Sequence, residues 1–344
     1  MKKLSYNQQQ DYKNLTKLMQ IIAQMPSFVS EFFVSIESTT TPLTRLNYAR
    51  DLKMFFEFVL KKTGKLNLKQ ITTGDMSDIC AADIEHYLSF ISAYKSQQTI
   101  RTNSDKAKSR KLSSIRSLLK FLFQRDYIAA DISAKVKSPK IRLKEIVRLE
   151  NDEVSKLIDQ AELANGLTKT QQKFNQKTKE RDLALLSVML GTGIRVSECV
   201  GIDLDDLDFD NNAFKVTRKG GWKTILYFSD EVRDALLCWL EKRNQNIEKY
   251  PDEPALFLSL QNKRIDVRTV QKLVKKYAQV VVPLKKITPH KLRSTYGTNL
   301  YRETKDIYIV ADVLGHKDVN TTKRHYAAIS EDLRRDVANK VKLR

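Results

Sequence analysis

The chain has 344 residues, with 61 lysines and arginines against 41 aspartates and glutamates and a formal charge of +20. That length can bury two hydrophobic cores, while the charge excess repels itself in a compact fold until a polyanion neutralises it. No apolar run approaches the roughly 20 residues of a bilayer crossing, the polar opening 1–20 lacks a signal-peptide pattern, and three scattered cysteines, Cys80, Cys199 and Cys238, point to a reducing cytoplasm rather than a disulfide framework or zinc site. Nucleic acid is the natural partner, because each neutralised phosphate releases counterions. A membrane surface ranks second, since neither terminus carries a basic amphipathic helix with aromatic anchors.

Residues 1–25 read as a polar, helical lead-in that Pro26 ends, and a helix is predicted from 27 to about 38. From 42 to 62, Leu46, Leu52, Phe55, Phe56, Val59 and Leu60 recur at three- and four-residue steps, which is one helix face. Thr41-Pro42 suits its start and Gly64 its end. Another helix begins at Asp83 and carries Ile84, Tyr87, Leu88 and Ile91. The next, 104–124, has Leu112, Ile115, Leu118, Leu119 and Leu122 on one face and Lys106, Lys108, Arg110, Lys111, Arg116 and Lys120 on the other. A charge run on a helix is ordinarily a solvated face. Here the charges are nearly all one sign, with no acids placed to pair with them at i,i+4. This all-helical segment, 26–132, therefore reads as a DNA-binding domain that grips through Lys106, Lys108, Arg110, Lys111 and Arg116. Residues 133–148 hold Lys140 and Arg142 and read as a basic linker able to follow a phosphate backbone, with a soluble spacer as the plainer alternative.

The remainder, 149–344, is mainly helical with a small antiparallel sheet. Asn151 or Asp152 caps a helix to about 163. Residues 165–179 read as an exposed, lysine-rich insertion before a buried helix, 181–190, that stops at Gly191-Thr192-Gly193. Arg195 starts the next turn, and Glu198, three residues on, shares its face. Short strands at 213–217 and 222–228 flank Lys219-Gly220-Gly221, where both glycines accept positive φ, so Lys219 occupies a hairpin tip. The acids Asp203, Asp205, Asp206, Asp208 and Asp210 lack a calcium loop's glycine and glutamate, since Asn211 and Thr217 stand there. They read as a helix-to-strand connection. Helices resume at 229–245 and 268–280. Thr288 then caps a helix with Pro289 at its first position, which sets His290 and Arg293 one turn apart on one face. Gly315 ends a short helix at Leu314 and leaves His316 just beyond it. Asn320 is predicted to cap the helix carrying Tyr326, and Ser330 a tail helix.

Three of the four histidines, His290, His316 and His325, crowd into 288–326 beside Arg293 and Tyr326. Phosphoryl transfer needs a nucleophile, cations for the phosphate oxygens and a proton donor for the leaving oxygen. Two arginines meet the second need with planar forks, Lys219 can supply the proton, and Tyr326 can attack and hold the phosphate covalently. Each has a plainer reading: Arg195 as a salt bridge to Glu198, His316 as a helix cap, Tyr326 as a core aromatic. No carboxylate cluster at metal-ligand spacing accompanies them, so the cations of the protein would replace a metal and no metal cofactor is expected.

Gly-Thr-Gly-Ile-Arg-Val-Ser-Glu at 191–198, Thr-Arg-Lys-Gly-Gly at 217–221, His-Lys-Leu-Arg at 290–293, Leu-Gly-His at 314–316 and Tyr326 resemble, in order and spacing, the motifs of the tyrosine recombinases, or phage-type integrases. The phrases Lys-Glu-Arg-Asp-Leu-Ala and Val-Thr-Arg-Lys-Gly-Gly are most similar to the single-recombinase branch of the Xer group. The resemblance implies a helical core-binding domain followed by a catalytic domain that exchanges DNA strands. Arg195 and Arg293 would clamp the scissile phosphate, with Glu198 in support. Lys219 would be the general acid, His290 would assist proton transfer, His316 would hydrogen-bond the phosphate, and Tyr326 would form a 3′-phosphotyrosyl link. The resemblance further implies a homo-tetramer on two duplexes of double-stranded DNA, working through a Holliday junction, and Xer-type chromosome dimer resolution. Integration or excision of a mobile element shares the same chemistry. The rivals outside that chemistry are a non-catalytic DNA-binding regulator and a metal-dependent transposase or nuclease. Two departures from the family pattern stand out: His316 and Tyr326 lie one residue further apart than is common, and Ser294 stands where Xer proteins often carry a second histidine.

Overall fold

The computed structural model describes residues 4–96, 99–141, 147–218, 221–245, 253–316, 318–320 and 322. Arg142, Lys219, His325, Tyr326 and the tail expected from Ser330 lie outside the described residues. The chain divides into two compact units, 1–144 and 145–344.

The first unit is a helical bundle. Helix α1 (Tyr6–Ile22) starts in a capping box formed by Ser5 and Gln8 and buries Leu18. It is followed by α2 (Phe28–Ser35), α3 (Pro42–Thr63), α4 (Thr73–Ser77) and α5 (Ala81–Phe90). The sequence signals for α3 act as expected: Thr41 accepts the Thr44 amide, Pro42 takes the first turn, and Gly64 stops the helix at φ 67°. Its apolar face packs with Ile84, Tyr87 and Leu88 of α5 and with Leu112, Ile115, Leu118 and Leu122 of α6 (Asp105–Gln124) in one core. The Phe55 and Tyr87 rings meet edge to face at 5.2 Å, a geometry aromatic pairs favour.

The expectation that this unit is wholly helical is corrected at one place. Strands β1 (Ala93–Ser96) and β2 (Thr99–Thr102) form an antiparallel hairpin between α5 and α6, with Ala93 opposite Thr102 and Ser96 opposite Thr99. All four β2 residues are exposed, so β2 lacks the buried face that betrays a half-buried strand.

The second unit stacks helices around α8 and sets a small sheet beside them. Helix α7 (Asn151–Leu163) precedes α8 (Lys169–Thr192), and α9 (Val196–Cys199) follows. The predicted insertion 165–179 is instead largely the first half of α8. Thr168 and Gln171 cap its start, and Asn175 is buried, donating to the Ala161 carbonyl at 3.1 Å and to the Tyr277 hydroxyl at 2.8 Å. Strand β3 (Leu207–Asp208) pairs with β4 (Ala213–Thr217), which pairs with β5 (Lys223–Tyr227), all antiparallel. Helices α10 (Asp230–Asn244), α11 (Val267–Val281), α12 (Pro289–Thr304) and α13 (Ile307–Leu314) complete the described elements.

Asp182 ties α8 to α11 from inside. Its buried carboxylate accepts from Arg181 Nη2 at 2.6 Å, Tyr277 Oη at 2.8 Å, Thr178 Oγ1 at 3.1 Å and Lys276 Nζ at 3.2 Å. Burial, with the Asp182 charge next, pushes the Tyr277 phenol above its ordinary range. Removing one partner from a buried ionic network leaves the others desolvated and unpaired. Asp182→Asn should therefore cost about 3–5 kcal/mol, read as a lower urea midpoint of the full-length chain. An unchanged midpoint would show that the network contributes nothing.

Candidate active site

The site is built on the C-terminus of α13. That helix ends at Gly315, with φ 61°. The Gly315 amide bonds back to the Asp312 carbonyl at 2.8 Å and the His316 amide to the Ala311 carbonyl at 2.9 Å, the paired closure of a Schellman turn. A helix C-terminus is electronegative and attracts cations. Among the described residues, three guanidinium groups from distant parts of the chain converge on it.

Arg195 opens α9. Its Nη1 donates to Glu198 Oε1 at 2.9 Å, its backbone amide to Glu198 Oε2 at 3.2 Å, and its Nη2 to the Gly315 carbonyl at 3.0 Å. Glu198 is buried, so this carboxylate holds both the backbone and the side chain of Arg195 in place. Arg293 lies one turn into α12 and is 4% exposed. Its Nη1 donates to the Gly193 carbonyl at 2.6 Å and its Nη2 to the Leu314 carbonyl. Gly193 makes that approach possible: it ends α8 at φ 61°, and a Cβ there would collide with the Tyr296 ring.

The third cation, Arg218, is one the sequence reading passed over. It donates to the Leu314 carbonyl at 2.7 Å and to the Val313 carbonyl at 2.8 Å. Its only sequence signal is its place before Lys219, since the partners lie about 95 residues away along the chain. His316 follows the turn, with Nδ1 2.7 Å from the hydroxyl of Thr322, which is fully buried; that contact fixes the plane of the imidazole. His290 is solvent-exposed on the first turn of α12. Asp318, not Asn320, caps the segment beyond, accepting the Asn320 amide at 2.9 Å while Val319 and Asn320 are already helical. Aspartate is an equally good cap and comes first. The structure thus gathers Arg195, Glu198, Arg293 and His316 around one helix end. Such preorganised donors stabilise charge on a transferring phosphoryl group.

Residues 147–332 match the phage integrase family, and residues 29–126 match the phage integrase N-terminal SAM-like domain. The chain belongs to the phage integrase family, among the Xer tyrosine recombinases. It is 31% identical over 329 residues to the tyrosine recombinase XerC of Caldanaerobacter subterraneus subsp. tengcongensis, covering 92% of this chain and 86% of the relative. It is 29% identical over 347 residues to the tyrosine recombinase XerS of Lactococcus lactis subsp. cremoris, covering 93% and 96%. Among solved structures, it shares its fold with the XerH recombinase bound to its difH substrate (TM-score 0.60, 20% identity, 83% of this chain and 76% of that one). A lambda integrase tetramer on a Holliday junction is similar at TM-score 0.58 and 16% identity, over 87% of this chain and 76% of that one.

The recombinase's basic helix α6 is more self-contained than its composition suggests. Lys111 is buried, with Nζ 3.2 Å from the Asp51 carboxylate. Its predicted place among the outward cations is therefore corrected. Arg110 donates to the same carboxylate, and Lys108 pairs with Asp105 at 2.9 Å. The Asp51 contacts cross from another helix, which the spacing of charges along α6 cannot reveal. Arg116 donates to the Val136 carbonyl at 2.6 Å and to Ser138 Oγ at 2.9 Å, fastening the start of the basic 133–148 segment to α6. Lys106 and Lys140 are exposed. The aspartate-rich connection is spent locally. Asp203 pairs with Arg264, Asp206 accepts the Asp203 amide at 3.0 Å, and Asp208 accepts from Asn211 at 2.8 and 3.1 Å.

Proposed function

We propose that this recombinase cuts and rejoins double-stranded DNA at one specific site, as a homo-tetramer on two duplexes in the cytoplasm, and that its task is Xer-type resolution of chromosome dimers. The observation that carries the reading is the convergence of Arg195 and Arg293 on the end of α13, beside His316, which stands ten positions before Tyr326. A phosphodiester brought to that cluster exchanges water for fixed guanidinium donors, which are strongest when charge builds on the phosphate oxygens. Tyr326 attacks phosphorus and keeps the 3′-phosphate as a covalent link, His290 assists removal of the phenolic proton, and Lys219 protonates the departing 5′ oxygen. His316 donates to the phosphate. Because the bond energy is retained in the phosphotyrosyl link, rejoining is the same step run backwards onto a partner strand. End-to-end similarity to XerS supports the chromosomal role over a mobile element.

The test is to incubate the full-length chain with sheared genomic DNA of its source, denature, and sequence whatever DNA stays attached to protein. One short chromosomal site should be enriched, and EDTA should leave the yield unchanged. Enrichment at the ends of a mobile element would transfer the assignment to integration. Binding without attachment would leave only a DNA-binding regulator, and loss of attachment in EDTA would point to a metal-dependent enzyme.

A further inference from the structure

Of the three guanidinium groups on the end of α13, Arg218 is the one that the chemistry above does not use. Both arms of its fork are committed to backbone, at the Leu314 and Val313 carbonyls. Its own backbone closes the β4–β5 hairpin: its amide donates to the Trp222 carbonyl at 2.8 Å, and its carbonyl accepts the Gly221 amide at 3.0 Å. One residue therefore fastens the mouth of the hairpin to the helix end that precedes His316. Gly315 leaves the space for it, since a Cβ at that position would collide with the Arg218 guanidinium. Burial, and then the nearby Arg195 charge, lower the basicity of Arg218, while Glu198 and Asp312 raise it. Arginine stays charged there, and its planar fork reaches two carbonyls at once where a lysine ammonium lacks that geometry.

We infer that Arg218 is a positioning residue for the leaving-group proton, an inference that rests on the recombinase reading above. By tying its end of the hairpin to α13, Arg218 fixes the point from which the chain runs on to the next residue, Lys219. In the cleavage step the Tyr326 phenolic oxygen bonds to phosphorus as the P–O5′ bond breaks. The phenolic proton passes to a base, and O5′ takes a proton from Lys219, so the phosphodiester keeps its single negative charge. General acids contribute roughly 10²–10⁴-fold, and a misplacement of about 1 Å costs on the order of 10²-fold.

The experiment uses the full-length chain and two nicked duplexes carrying the captured site. They differ in one atom: the scissile 5′ oxygen is kept in one and replaced by sulfur in the other, because a thiolate departs without needing a proton. Arg218→Ala should bind both duplexes as the unsubstituted protein does and cleave the oxygen duplex about 10²-fold more slowly, recovering most of that loss on the sulfur duplex. Arg218→Lys should fall between, and Lys219→Ala should show the same sulfur recovery. Equal losses on both duplexes would overturn the inference, because Arg218 would then act on the phosphate or on folding. Unchanged rates on both would overturn it too. If the unsubstituted protein attaches to neither duplex, the recombinase reading itself fails and the inference falls with it.

Discussion

Tyr326→Phe should bind a nicked duplex carrying the recombination site with unchanged affinity and leave no DNA attached to protein after denaturation. The substitution removes a single oxygen and keeps the ring, so any packing the ring makes survives while the only atom able to bond phosphorus is gone. Losing a covalent nucleophile removes on the order of 10⁴-fold or more of the rate, beyond what a gel assay of trapped protein detects. The extra residue between His316 and Tyr326 makes this a sharp test. Other tyrosines lie on or against α13, among them the exposed Tyr308. Persistent trapping by Tyr326→Phe, with the adduct mapped to another tyrosine peptide, would refute the assignment.

Arg293→Ala should lose about 10²–10³-fold in single-turnover cleavage, the usual effect of deleting one preorganised donor to a charged transition state. Unlike the tyrosine variant, it should also lower stability. Arg293 is 4% exposed and satisfies the Gly193 carbonyl; a buried polar group left without a partner costs about 1–3 kcal/mol. Arg293→Lys restores a positive charge without the fork, so it should recover stability better than rate. Chemical denaturation alongside trapping of a nicked duplex separates the two effects. Cleavage by Arg293→Ala at the unsubstituted rate would remove this arginine from the phosphate clamp.

Much of the fold can be read along the chain because helix signals are local. Thr41, Pro42 and Gly64 bracket α3, and the spacing of its apolar residues matches the core that the structure shows. Gly193, at φ 61°, stops α8, while Gly191 lies within its last turn, and Gly221, at φ 87°, occupies the predicted hairpin turn. The errors have equally physical origins. The lysine-rich start of α8 reads as an exposed insertion because its buried residues are polar: Asn175 and Thr178 are held by hydrogen bonds that hydrophobic periodicity cannot detect. The β1–β2 hairpin leaves little trace in the sequence because β2 buries none of its residues.

By itself the sequence determined the helix faces, their caps, the order of the motifs and the excess of positive charge. All of these depend on residues within a turn or two of each other, or on composition alone. Only the tertiary structure decided which cations spend their charge inside the protein. Asp51 captures Lys111 from a helix 60 residues on, and Arg218 reaches the carbonyl of Leu314, 96 residues away. Guanidinium and ammonium groups pair with any oxygen that the folded chain brings within reach, and spacing along the sequence carries no record of that choice.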